Sequence, residues 1–134
     1  SQPVVRSRFR EIILIGPDIG VSEFTRELAP VLGTDEAPIT VYAAESDPAL
    51  ALPISVSTDD LLGDTRHGIT IVNGVETIDA SGLKTSLDSH SSYTDRRSVI
   101  SDIWNLVQFG TRASFRRNLT TVYDQGGTYW RFRP

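Results

Sequence analysis

Two short runs of strand-forming residues, Ile12–Ile15 and residues 39–44, are separated by a segment with helical spacing. The first run is four consecutive apolar residues, which predicts a strand buried on both faces rather than one half-exposed at a sheet edge. Between the runs, Gly33 stands where a helix would end, and apolar side chains recur at Val21, Phe24, Leu28 and Val31. A strand, a crossover helix and a second strand predict an α/β fold with a parallel sheet and right-handed connections.

The rest of the chain continues this alternation. A short helix is predicted from Asp47 and Pro48 through Leu52, and "VETIDASG" predicts a third strand. A last helix is predicted over residues 99–109, ending at Gly110, with one apolar face made of Val99, Ile103, Leu106 and Val107. The predicted architecture is therefore parallel strands joined by crossover helices.

The C-terminal segment differs from the rest in charge. Residues 1–110 contain 8 basic and 16 acidic side chains, whereas residues 111–134 contain 5 basic and 1 acidic. A basic tail with aromatics could bind nucleic acid. However, "LTTVY" and "TYWRF" flank "DQGG", which favours a β-hairpin packed on the same domain as residues 1–110. Its arginines would then pack on a sheet face or contact the acidic remainder, so no nucleic-acid partner is expected.

Composition excludes several classes of protein. The 134 residues are 39% apolar and 22% charged, as in one globular domain, and no apolar run approaches the ~18 residues of a membrane span. There is no cysteine, so the cellular compartment stays open. We expect no cofactor, because no nucleotide-binding motif occurs, and no metal. The polar stretch "STDDLLGDTRHG" contains three aspartates that lack calcium-loop spacing and should be solvated: Asp59, Asp60 and Asp64.

Candidate catalytic residues follow the predicted strands. Asp18 comes after the first strand, Asp47 after the second, and His90 lies in the loop beyond Asp79 and the third strand. The carboxyl ends of parallel strands meet at one edge of the sheet, where α/β proteins carry their chemistry. An acid followed by a histidine after the next strand matches the order serine, acid, histidine of α/β-hydrolases.

Four landmarks carry a resemblance to a known family: "VYAAESDPALAL", "LLGDTRHG", "VETIDASG" and "DSHSSY". In this combination the chain resembles the family called alpha/beta hydrolase of unknown function, whose members are regarded as serine esterases. There, a strand ends in a signature with Asp-x-Ala-Leu, a Leu-Gly turn and a Val-x-x-Ile-Asp strand follow, and a His-Ser-Tyr loop supplies the histidine. "IILIGPDIGVSEF" resembles the preceding strand and turn. The resemblance covers residues 10–107 and implies the C-terminal part of an α/β-hydrolase fold.

The resemblance implies that His90 is the catalytic base and Asp47 its orienting acid. This chain has "HSSY", with one serine more than the family motif, which changes the register of the tyrosine. Structural alternatives stay open: Asp47 is also a good helix N-cap before proline, and His90 could be an ordinary loop histidine. Asp18 is the alternative acid. His67 is expected to be a surface residue and Asp79 a structural carboxylate.

The nucleophile is missing from this pattern. No G-x-S-x-G occurs, so we expect the serine and oxyanion hole upstream of Ser1, and no activity from this chain alone. The expected function is a portion of an esterase-like or lipase-like hydrolase acting on a small ester or acyl substrate. The alternative is a non-catalytic interaction module derived from that fold. One side of the first strand would lack a neighbour, so the expected partner is the N-terminal half of the hydrolase or a second copy of the chain.

Overall fold

A computed structural model describes residues 9–32, 37–45, 60–81, 96–124 and 126–134. The strands are β1 (Ile12–Ile15), β2 (Ile39–Ala43), β3 (Val75–Asp79), β4 (Leu119–Asp124) and β5 (Gly127–Phe132). The helices are α1 (Val21–Glu23), α2 (Ala29–Leu32) and α3 (Arg96–Phe109). A π-helical turn, Phe24–Leu28, joins α1 to α2, and a 3-10 turn, Ala113–Phe115, precedes β4. In the described parts of the chain, no helix is long and apolar enough to cross a membrane.

The strands form one mostly parallel sheet in the order β1-β2-β3-β5-β4. β1, β2, β3 and β5 run parallel to one another, and β4 pairs antiparallel with β5. The hairpin predicted at "DQGG" is present, and Gly127 has the positive φ of 128° that glycine permits. The predicted α/β class, with a crossover helix between β1 and β2 and a C-terminal hairpin, is confirmed. The short helix predicted after Asp47 lies outside the described residues.

Two apolar clusters cover the two faces of the sheet. Because side chains alternate along a strand, Tyr42 and Ile78 face the cluster that contains Val99 of α3. Ile39, Val41 and Ala43 face the other cluster, which contains Phe24 of the π-helical turn. β2 is buried along its whole length, as expected for a central parallel strand.

The prediction that β1 is buried on both faces was wrong. β1 is the edge strand of the described sheet, and Ile15 is 66% exposed. An apolar run has the same composition at an edge as at the centre of a sheet, so burial is decided by which strands pair with it.

The helices also depart from their predicted apolar faces. Phe24 is fully buried, but Leu28 and Val31 are exposed. Ala29 donates to the carbonyl of Phe24, five residues back, directly before Pro30, which has no amide for the usual α-helical bond. The π-helical turn therefore changes the helical register ahead of the proline.

On α3, Val107 was expected in the core and is exposed, whereas Asp102 is fully buried. The buried stripe of the helix consists of Val99, Asp102 and Leu106. Val107 is the residue after Leu106, and its side chain lies beside this stripe rather than in it.

Candidate functional site

Three neighbouring parallel strands end at the same edge of the sheet. We call this edge the carboxyl rim and define it by Gly16, Ala44 and Ala80, the residues directly after β1, β2 and β3. Hydrogen bonds continue into the rim, from the Gly16 amide to the Tyr42 carbonyl (2.8 Å) and from the Ala80 amide to the Ala43 carbonyl (2.7 Å). The rim therefore has a regular, fixed backbone from which the following loops start.

A second segment, residues 60–65, crosses the rim. The Gly63 amide donates to the Pro17 carbonyl (3.1 Å), and the Gly63 carbonyl accepts from the Ala44 amide (3.0 Å). A Cβ at Gly63 would lie 2.4 Å from the carbonyl carbon of Gly16 and 2.4 Å from the Pro17 nitrogen. Only glycine permits this approach, so the "LLGD" turn is held between the turns that follow β1 and β2.

The two principal candidates, Asp47 and His90, lie outside the described residues. Glu45 is described two positions before Asp47, and Ser81 is described nine positions before His90. Asp79 Oδ1 accepts the Ser81 amide (2.8 Å), which is typical of a structural carboxylate at a strand end. The contact between Asp47 and His90 that the sequence predicts stays a prediction.

The other candidate residues are described. Asp18, the alternative acid, is exposed in the turn between β1 and α1, next to the rim. His67 is exposed, as expected of a surface residue.

Within the aspartate group, Asp59 lies outside the described residues and Asp60 is exposed. The prediction that Asp64 is solvated was wrong: its side chain is 9% exposed, and its carboxylate binds Arg66 at 2.7 Å. This hydrogen bond and the Asp64 charge raise the pKa of the Arg66 guanidinium. The ion pair with Arg66, two residues on, and the bridge of the Asp64 backbone to Ala44 accompany this burial. Among the residues that the structure describes, no three His, Cys, Asp or Glu side chains are grouped as a metal site would require.

A buried polar network lies behind the rim. Asp102 accepts hydrogen bonds from the Tyr42 hydroxyl (2.6 Å), from Arg116 Nε and Nη2 (2.8 and 3.1 Å) and from Asn118 Nδ2 (3.0 Å). Arg116 also donates to the Thr111 carbonyl (2.6 Å). The network joins β2, α3 and the segment before β4, so it fixes β2 close to its carboxyl end.

The protonation of Tyr42 follows from this environment. Burial raises the pKa of its hydroxyl far above the ordinary value, and the hydrogen bond to Asp102 raises it further. The hydroxyl therefore stays protonated and donates to the carboxylate. Sequence reasoning missed this network, although Asp102 stands three residues after Val99 and four before Leu106, at helical spacing for the core.

A second ionic cluster lies at the opposite end of the sheet. Arg112 Nη2 contacts both carboxylate oxygens of Glu11 (2.6 Å), and its Nη1 binds Glu76 Oε1 (2.8 Å). Glu76 Oε2 also accepts the Ala113 amide (2.6 Å). Two arginines of the basic tail, Arg112 and Arg116, thus contact the acidic remainder of the chain, as the sequence predicts.

The fold defines the class of protein: a mostly parallel sheet with crossover helices, consistent with part of an α/β-hydrolase. A family model described as alpha/beta hydrolase of unknown function matches residues 2–107. The chain belongs to this family. No curated protein and no solved structure matches it.

Proposed function

We propose that this chain is the C-terminal portion of a serine hydrolase of esterase or lipase type, in which Asp47 and His90 belong to a Ser-His-Asp triad. The observation that carries the proposal is the pairing of β2 with β3. The two strands are parallel neighbours, with Ala43 opposite Asp79. The segments that contain Asp47 and His90 therefore start side by side on the carboxyl rim, which is the usual position of catalytic loops in such sheets.

The chemistry requires both side chains. A histidine with a pKa near 6.5 is partly neutral at working pH, so it can accept the proton of a serine hydroxyl and return it to the leaving group. A carboxylate on the other ring nitrogen holds the correct tautomer and stabilises the imidazolium that forms. The substrate class is a small ester or other acyl compound, and this chemistry requires no metal or cofactor.

The nucleophile would come from outside these 134 residues, since no G-x-S-x-G occurs in them. In the part of the chain that the structure describes, no strand pairs with the outer side of β1, which supports a partner there. In a parallel strand, every second residue forms backbone hydrogen bonds to the same neighbouring strand. The amides of Ile12 and Gly16 donate to the β2 side, so the backbone groups of Ile13 and Ile15 face away from β2. The partner would be the N-terminal half of the hydrolase or a second copy of this chain.

An exposed apolar flank of α3 also supports association. Ile100, Trp104 and Val107 lie three or four residues apart and are exposed, and Phe109 packs edge-to-face on Trp104 with ring centroids 5.9 Å apart. Contiguous exposed apolar side chains of this kind are typical of interfaces.

The proposal is tested with a fluorophosphonate probe on the native protein that contains these residues. We expect the probe to label a serine outside residues 1–134. His90→Gln and Asp47→Asn should each slow labelling by about 10³-fold or more, since the triad is needed to activate the serine. His67→Gln and Asp18→Asn are the matched controls, because they change an exposed histidine and an exposed aspartate.

Three results would count against the proposal. Normal labelling in both His90→Gln and Asp47→Asn would remove the triad. Loss in Asp18→Asn instead of Asp47→Asn would transfer the acid role to Asp18. Absence of any reactive serine in the wild-type protein would favour the non-catalytic interaction module.

A further inference from the structure

A cleft lies between the first turns of α3 and the C-terminal tail. Its volume is about 530 Å³, and three arginines line it: Arg97 from α3, Arg117 from the segment before β4, and Arg133 after β5. Ser98, Ser101 and Asn118 add further polar side chains to the wall. Among the described residues that line the cleft there is no acidic side chain, although the chain has a net charge of −4.

These three arginines differ from Arg112 and Arg116 in their charge environment. Arg112 and Arg116 are neutralised by carboxylates, whereas no acidic residue in the described ranges forms an ion pair with any of the three arginines of the cleft. Arg133 Nε donates to the Leu119 carbonyl (3.2 Å), which fixes that side chain while its two terminal nitrogens face no partner among the described residues. Three unneutralised guanidinium groups around one cleft favour a ligand with two negative charges, and arginine binds phosphate oxygens in pairs.

The wall of the cleft is preorganised. Arg116 and Asn118 are both bound to the buried Asp102, so Arg117 between them is held on a fixed backbone with its own side chain exposed. A binding group that is already positioned loses less entropy when its ligand arrives. The buried network therefore serves the cleft as well as the core.

A second cavity of about 410 Å³ continues from the cleft along α3. It shares Ser101, Arg117 and Asn118 with the cleft and adds Asn105, one helical turn beyond Ser101. Asn105 Oδ1 is buried and has no hydrogen-bond partner among the described residues. A buried polar atom without a partner is unfavourable, so a rotation of the Asn105 amide towards the cavity would be stabilised by a ligand that donates a hydrogen bond to it.

We propose that the cleft binds a small organic phosphate, with the phosphoryl group between Arg97, Arg117 and Arg133 and a hydroxyl of the ligand bonded to Asn105. β5 is parallel to β3, with Arg131 opposite Asp79 at the carboxyl end of β3. Arg133 follows Arg131 by two residues, so the cleft lies at the same end of the sheet as the carboxyl rim. It does not depend on the hydrolase proposal. The phosphate could belong to a soluble ester or to a lipid headgroup, which present the same group to the arginines.

The test is calorimetric titration of the chain with glycerol 3-phosphate at low ionic strength. We expect saturable binding to one site. Arg97→Gln and Arg117→Gln should each weaken it by about tenfold or more. Arg26→Gln, which removes an exposed arginine on the opposite face of the sheet, should leave it unchanged. Asn105→Ala should weaken glycerol 3-phosphate but not inorganic phosphate.

The other arms identify the source of the phosphate. Stronger binding to vesicles containing phosphatidic acid, lost in Arg97→Gln, would support the lipid headgroup. The proposal would be overturned if neither glycerol 3-phosphate nor the phosphatidic acid vesicles bind. It would also be overturned if Arg97→Gln and Arg26→Gln weaken binding equally. Tighter binding of a single-stranded oligonucleotide than of glycerol 3-phosphate, lost in the same variants, would also overturn it, since the tail would then be a nucleic-acid surface.

Discussion

The carboxylate of Asp102 is completely buried, and three side chains donate hydrogen bonds to it. Its partner Arg116 is 3% exposed, so both members of the ion pair are removed from water. Such a pair adds little net stability compared with apolar residues of the same shape, but the loss of one member leaves the other charge buried and unpaired. The two charges should therefore behave as one unit.

We predict that Asp102→Asn lowers the free energy of unfolding by about 3 kcal/mol or more, because it leaves Arg116 without a counter-charge. The double change Asp102→Leu with Arg116→Met should lower it by less, since both charges are gone. Urea denaturation measures both. Asp18→Asn, at an exposed aspartate, is the control, and an equal loss in Asp102→Asn and Asp18→Asn would refute the assignment.

Tyr42 gives the protein a dependence on alkaline pH. Its pKa in the folded state is raised by burial and by the bond to Asp102, whereas an unfolded tyrosine titrates near pH 10. The protonated hydroxyl therefore stabilises the fold fully below about pH 10, and this contribution is lost as the pH rises further. Tyr42→Phe lacks the titrating group, so its stability difference from wild type should shrink above about pH 10.

Urea unfolding between about pH 8 and about pH 11 checks this, with Tyr123→Phe as the control at an exposed tyrosine. Parallel stability curves for wild type and Tyr42→Phe across this range would show that the Tyr42 hydroxyl has no special role.

At the level of elements, the crossing segment 60–65 determines how the carboxyl rim is built. A side chain at Gly63 would clash with the backbone of the turn after β1, which lies directly against this glycine. We predict that Gly63→Ala destabilises the protein by about 2 kcal/mol or more, since the backbone of two turns would have to shift. Gly126→Ala, where a Cβ would meet only Ile71 at 3.6 Å, should be tolerated. Similar thermal midpoints for the two variants would contradict this account of the rim.

The strands and the hairpin could be predicted from sequence because their signals are local: β-branched runs for β2 and β3, and glycines at the hairpin turn. The incomplete burial of β1, the exposure of Val107 and the buried Asp102 could not. Each depends on partners that are distant in sequence, such as Tyr42 and Arg116 around Asp102. Gly63 is part of the family landmark "LLGDTRHG". The reason why glycine is required there, the contact with the turn after β1, can be seen only in the structure.

The catalytic candidates could be predicted from sequence only in part. The order of acid and histidine could be predicted from sequence, and the parallel pairing of β2 with β3 agrees with the strand order assumed for them. Their mutual contact depends on the conformations of two long connections, which neither hydrophobic periodicity nor turn residues determine. Asp47 and His90 therefore stay a prediction.

For the whole molecule, the outer side of β1, next to which the described residues place no strand, predicts association. An exposed apolar edge strand pairs readily with another strand, and a charged side chain there blocks pairing. We predict that the chain self-associates with rising concentration in sedimentation velocity, and that Ile15→Lys shifts it towards monomer. Val31→Lys, at an exposed valine of α2, should not. A strictly monomeric wild type, or equal effects of the two lysines, would leave the edge without a partner.

The central claim is that the loops after β2 and β3 bring a carboxylate to an imidazole, and one measurement on this chain alone tests it without a nucleophile. The pKa of the His90 ring is followed by NMR titration in wild type, Asp47→Asn and Asp18→Asn. A neighbouring carboxylate stabilises the imidazolium, so the pKa of His90 should fall in Asp47→Asn and stay constant in Asp18→Asn. An unchanged pKa of His90 in Asp47→Asn would mean that the two side chains do not meet, and the triad would be wrong.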